Sequence, residues 1–149
     1  MRLTPHFTLA EMTVTQQRGI DNTPGHVEIA RLQELCATLL EPLRTRFGAI
    51  IITSGYRCPE LNARIGGSKT SAHMLGLAAD CHAWDPAVTI EDMARWIAGS
   101  GLPFDQVIDE RSGRSRWLHV GLPRPGHTPR RECLIYRDGE YMLADWGSP

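Results

Sequence analysis

Ser71-Ala72-His73-Met74-Leu75-Gly76-Leu77-Ala78-Ala79-Asp80 sets an imidazole and a carboxylate seven residues apart, with a glycine and small residues between them. Both side chains are good ligands for a divalent metal such as zinc. Gly76 permits a backbone conformation, or a close approach, that a side chain would forbid. Leu77 to His82 reads as a strand, so Asp80 would project from a fixed position rather than from a loop. Further along, Trp117-Leu118-His119-Val120 is a short apolar run of strand character that offers a third ligand, His119. Two ligands close together, a third far downstream and one coordination position left to water describe a catalytic zinc site. Taken alone, the His73/Asp80 pair also fits an ordinary polar loop.

The flanking segments add to the pattern. Ile50-Ile51-Ile52-Thr53-Ser54-Gly55-Tyr56-Arg57 precedes the metal stretch, and Gly66-Gly67-Ser68 leads into it. Phe104-Asp105-Gln106-Val107-Ile108-Asp109-Glu110 follows, ahead of the Trp117 segment. The motifs S-G-Y-R, S-x-H-x-x-G-x-A-x-D and W-x-H, in that order, resemble the zinc D-alanyl-D-alanine carboxypeptidase family, above all its small phage-lysin-like members. That family shares a wider group with hedgehog signalling domains and lysostaphin-type peptidases. The similarity runs over roughly residues 3 to 136.

The resemblance implies an α+β fold: an antiparallel sheet bearing a zinc site, with helices packed on one side. It implies zinc held by His73, Asp80 and His119, and a peptide bond of the peptidoglycan stem as substrate. Arg57 lies just beyond the 49–54 strand, where a salt bridge is the plain alternative. Arginines at this place in the family stabilise the developing oxyanion and the substrate carboxylate, which a guanidinium fork suits. Ser71 would hold substrate or orient a ligand.

Such chemistry needs a general base. Many relatives place an acid three positions before the last histidine, and here that position is Arg116. The small lysin-like relatives instead resemble this chain in Q-x-I-x-E, which makes Glu110 the candidate base, with Asp109 as the fallback. An exposed carboxylate at a hairpin end is the competing account of Glu110. His82 should share a strand face with Asp80. His6, His26 and His127 sit in turn or capping contexts and read as solvated, and Trp117 fits either the cleft or the core.

A length of 149 residues suits one domain, residues 1–149, able to bury roughly two thirds of its unfolded surface. The net charge of −1 gives no general case for nucleic-acid or membrane binding. Fifteen of the sixteen basic residues are arginine, and Arg111, Arg114, Arg116, Arg124, Arg130 and Arg131 cluster late in the chain. That cluster reads as a solvated face, or as a patch that could approach an anionic cell wall. Cys36, Cys58, Cys81 and Cys133 form no C-x-x-C pair and no disulfide framework. With no basic-then-apolar leader and no run long enough to span a bilayer, the expectation is a monomer made in the cytoplasm without a signal peptide. It would reach the wall after holin release or inside a virion.

Along the chain, Thr8 to Glu11 has capping-box spacing. Thr23-Pro24 suits a helix start, with apolar positions from Val27 to Leu43 on one stripe, a kink or break at Pro42 and a stop at Gly48. Ala49–Ser54 reads as a strand, Pro59–Ile65 as a short helix, and 69–75 as a loop carrying Ser71 and His73. A helix starts near Thr89. Residues 104–110 and 116–122 read as one hairpin, and 132–137 with 140–143 as a terminal one turning at Asp138-Gly139.

Two functions fit. One is a zinc peptidase of D-Ala-D-Ala carboxypeptidase or L-Ala-D-Glu endopeptidase type, working as a phage or prophage lysin. The other is a non-catalytic, zinc-containing wall-binding or virion structural domain. A nucleotide-binding domain is excluded by the want of a phosphate-cradling glycine motif before a helix.

Overall fold

The computed structural model describes residues 1–146. A short hairpin, β1 (Arg2–Thr4) with β2 (Phe7–Thr8), leads into α1 (Leu9–Met12), and it drops Leu3 and Phe7 into the core. The expected capping box forms: Thr8 accepts from the Glu11 amide, and the Glu11 carboxylate accepts from the Thr8 amide.

Helix α2 (His26–Leu35) begins two residues later than Thr23-Pro24 suggests, with Gly25 as its N-cap. Thr23 is unavailable as a cap because its amide and hydroxyl both donate to the Asp21 carboxylate. The apolar stripe continues through one π-helical turn, Cys36–Leu40, into α3 (Glu41–Phe47). The break expected at Pro42 takes this form. The wider turn comes just before the proline, which then sits in the first turn of α3, where its missing N–H costs nothing. Gly48 closes α3 with φ 86°.

The remaining elements are β3 (Ile50–Ser54), α4 (Pro59–Arg64), a 3₁₀ turn (Ala72–Leu75), β4 (Ala78–Ala83), α5 (Ile90–Ala98), β5 (Gln106–Ser112), β6 (Ser115–Gly121), β7 (Glu132–Arg137) and β8 (Glu140–Leu143). Six strands form one sheet in the order β3-β4-β6-β5-β7-β8. The fold class is α+β as expected, and all neighbouring strands are antiparallel except β5 and β7, which run parallel. Residues 122–131 cross from one end of β6 to the start of β7, which makes that pair parallel. The terminal hairpin turns where expected, with positive φ at Asp138 and Gly139.

Alternation divides the sheet. Ala79, Cys81, Val107, Leu118 and Val120 point into the core with α3 and α5, and all five are fully buried. Asp80, Ile108, Glu110, Trp117 and His119 point to the other face, into a cleft. Cys36 and Cys81 are buried free thiols, as their apolar settings suggest, and burial pushes the Cys36 thiol up to about 12.

The late arginines do not make one solvated patch. Arg116 pairs with Asp109 and Arg130 with Asp105, Arg131 bonds the Ala98 and Leu102 carbonyls and covers the Phe104 ring, and Arg124 bonds the Thr70 carbonyl. Arg124, Arg130 and Arg131 fasten the crossover to the rest of the domain, and Arg116 ties β6 to β5. The 13–25 segment is fastened too. Asn22 donates to the Thr13 and Tyr56 carbonyls and accepts from the Cys58 amide.

Gly76 terminates the 3₁₀ turn in the left-handed region, φ 74°, and a Cβ there would lie 2.7 Å from the Glu28 carbonyl oxygen on α2. Gly76→Ala should therefore lower stability by roughly 1–3 kcal/mol, through both backbone strain and the clash. Urea unfolding measures this, and an unchanged midpoint would refute the close approach.

Candidate metal centre and cleft

Three elements bring the ligand candidates together. The 3₁₀ turn carries His73, β4 carries Asp80 and β6 carries His119, with Asp80 and His119 directly opposite each other in the ladder. One donor atom from each lies within 4.8 Å of the other two, and all three residues are buried. Asp80 Oδ1 is 3.2 Å from His73 Nε2 and 3.0 Å from His119 Nδ1.

The donor set fits a cation. His73 Nδ1 lies 2.7 Å from the Gly55 carbonyl oxygen, which can only accept, so Nδ1 carries the hydrogen. In a neutral ring Nε2 is then a bare lone pair turned towards a carboxylate oxygen. Two acceptors converging in a buried site need a positive charge between them, as a metal supplies. Burial opposes the Asp80 anion, but His73 and His119 outweigh it and hold the carboxyl well below the usual range.

The sequence around the ligands explains their poise. Gly55 backs directly on the Met12 backbone, where a Cβ would meet the Met12 oxygen. The Tyr56 amide donates to that same oxygen at 2.7 Å, which pins the carbonyl that orients His73. Ser71 accepts from the His73 amide at 3.2 Å, so its hydroxyl caps the ligand's own turn. Arg57 donates to Asp80 Oδ2 at 3.0 Å and to Ser54 Oγ at 2.9 Å. The salt-bridge alternative for Arg57 is thus realised, while its guanidinium also lines the cleft.

The cleft is about 780 Å³ in volume. Gln106, Ile108 and Glu110, the three defined positions of Q-x-I-x-E, all face it by strand alternation. Glu110 lies beside Trp117 across the β5/β6 ladder. Burial raises the Glu110 pKa, and the Asp80 charge raises it further, against the opposing pull of His119, Trp117 and Arg57. The Trp117 indole N–H is buried without a partner at hydrogen-bonding geometry among the described residues, although it is close enough to favour the Glu110 anion. Trp117 belongs to the cleft.

Asp109 points the other way. It is buried and receives Arg116 at 2.7 and 3.1 Å and Arg137 at 3.5 Å. Arg116, three residues before His119, shares that opposite face, so neither residue reaches the cleft. His82 turns its Nδ1 to the Ala83 carbonyl and lies outside the cleft. His6 is not simply solvated, because it pairs with Glu41 at 2.9 Å, and His127 lines the cleft wall. Tyr136 and Tyr141 also line the cleft and were not legible, since reaching it depends on the parallel β5/β7 register.

With this geometry in place, the class is that of a metal-dependent peptidase, and the comparison with known families agrees. The family model described as Peptidase M15 matches residues 5–121, and the chain belongs to that family, the zinc D-Ala-D-Ala carboxypeptidase family its motifs resemble. Peptidases of this family are zinc-dependent, and His73, Asp80 and His119 form a possible site for that ion. No curated protein matches the chain. Among the described residues no helix is long and apolar enough to cross a membrane.

Asp109 gives a pH test of the face assignment. Burial opposes its anion, but Arg116 and Arg137 outweigh it and lower its folded pKa below the unfolded one. The resulting stabilisation is complete above the unfolded pKa of about 4 and is lost as pH falls towards the lowered folded value. Asp109→Asn should cost about 1–3 kcal/mol at neutral pH. The gap from wild type should narrow below about pH 4, where the wild-type carboxylate protonates. An equal gap at neutral pH and under acid conditions would refute the pairing.

Proposed function

We propose that this protein is a zinc peptidase that hydrolyses a peptide bond in the peptidoglycan stem, of D-Ala-D-Ala carboxypeptidase or L-Ala-D-Glu endopeptidase type. We further propose that it acts as a phage or prophage lysin, reaching the wall after holin release or in a virion. The observation that carries the peptidase reading is the convergence of His73, Asp80 and His119 in a cleft that Glu110 shares from the neighbouring strand. The lysin reading is supported by Q-x-I-x-E, whose Gln106, Ile108 and Glu110 all face that cleft.

His73, Asp80 and His119 would hold the zinc. When bound, that ion supplies Lewis acidity, polarising a scissile carbonyl and acidifying water. Glu110 is the general base: its carboxylate takes a proton from the attacking water and hands it to the leaving amine. The partly desolvated setting that raises its pKa suits both halves of that transfer. Arg57 holds Asp80 through one N–H and Ser54 through another, and its guanidinium lines the cleft, where its remaining donors can meet a substrate carboxylate or a developing oxyanion. The Gly55 carbonyl and the Ser71 hydroxyl keep His73 in the tautomer and position that ligation needs.

Zymography on purified peptidoglycan tests the reading, with metal content measured for every sample. Wild type should clear the wall, while EDTA-treated protein and His73→Ala should not. Glu110→Gln should retain zinc yet lose roughly 10²–10⁴ of kcat. Mass spectrometry of the released fragments identifies the bond. Bound zinc with no cleavage of any wall tested would instead favour the non-catalytic wall-binding or virion structural domain. Protein that binds no metal would overturn both.

A further inference from the structure

The terminal hairpin lies beyond residues 5–121, the span the family model matches, yet it forms one wall of the cleft. Its register is what brings it there. Trp117 on β6 stands opposite Glu110 on β5, Glu110 stands opposite Tyr136 on β7, and Tyr136 stands opposite Tyr141 on β8. These four side chains form one transverse row across four strands, all lining the cleft, with Glu110 flanked by aromatic rings.

The two tyrosines form a ledge at the end of the row. Their ring centroids are 4.8 Å apart with planes tilted by 57°, and Tyr141 is 60% exposed. An exposed tyrosine pair offers a flat apolar face edged by hydroxyl groups. The neighbouring arginines of β5 and β7 do not cover that face: Arg111 and Arg137 belong to the opposite side of the sheet, with Asp109. A surface that is apolar on its face and polar at its rim matches the C–H face and peripheral hydroxyls of a pyranose ring. It does not match a carboxylate.

Resting on the peptidoglycan reading above, we propose that Tyr136 and Tyr141 form a subsite for a saccharide ring of the glycan strand to which the stem peptide is attached. The subsite is continuous with the cleft through Glu110. The enzyme would then recognise a peptide still bound to its sugar better than the same peptide set free.

Two measurements on zinc-loaded full-length protein test this. The first compares kcat/KM for a disaccharide-bearing muropeptide with that for the sugar-free stem peptide. Tyr141→Ala should lower the ratio of the two values about tenfold, mainly through KM, while Tyr141→Trp restores it. Equal losses on both substrates, or no loss, would overturn the subsite. The second titrates the same zinc-loaded protein with an N-acetylglucosamine oligomer, which carries no stem peptide, so it does not depend on turnover. Wild type should bind and Tyr141→Ala should not, and binding indifferent to Tyr141 would overturn the subsite. Wild type that binds sugar yet cleaves neither substrate would leave the subsite supported and sink the peptidase reading instead.

Discussion

A carboxylate removed from water must be surrounded by positive charge or by hydrogen-bond donors, and Asp80 imposes that demand on everything near it. Oδ2 is met by Arg57 from the loop after β3 and Oδ1 by His119 from β6, while His73 from the 3₁₀ turn brings a second acceptor to Oδ1 that a cation would have to bridge. Those partners come from chain segments far apart, so the sheet order β3-β4-β6 is what allows one buried group to be satisfied. The partners are themselves held. His73 is bonded through Gly55, whose closeness to the Met12 backbone ties the centre to α1.

The same sheet shows how period-2 alternation assigns chemistry. Asp109 and Glu110 are adjacent carboxylates with opposite fates. One meets a pair of arginines on the packed face and has its pKa lowered, and the other meets aromatic rings and Asp80 on the cleft face and has its pKa raised. A single-residue slip of β5 would exchange them, burying Glu110 among arginines. Register here is thus a chemical specification as well as a structural one. The Val107 and Leu118 side chains, fully buried on the packed face, hold it in place.

Much of this was legible from residues. The Thr8/Glu11 capping box and the two hairpins follow from local spacing, and the candidate ligands and Glu110 from short motifs and the family they resemble. What was not legible depends on partners distant in sequence. No local signal makes β7 lie parallel to β5, since that depends on where a ten-residue crossover lands. The tyrosine ledge inherits that opacity. The late arginines look like a patch because they are close in sequence, and only their separate anchors, Asp105, Asp109, the Thr70 carbonyl and the Phe104 ring, reveal otherwise. The start of α2 moved for a smaller reason, the capture of Thr23 by Asp21.

The bonds that orient His73 and Asp80 are made by the protein to itself: a carbonyl from Gly55, a guanidinium from Arg57 and a hydroxyl from Ser71. Around them lies a core continuous from Leu3 to Trp146 that owes nothing to an ion. In a zinc finger the free energy of binding is the free energy of folding, and removing the metal unfolds the chain. Here the core and the bonds that orient the candidate ligands are made by the polypeptide itself, so an ion at His73, Asp80 and His119 would complete a scaffold already in place rather than create one.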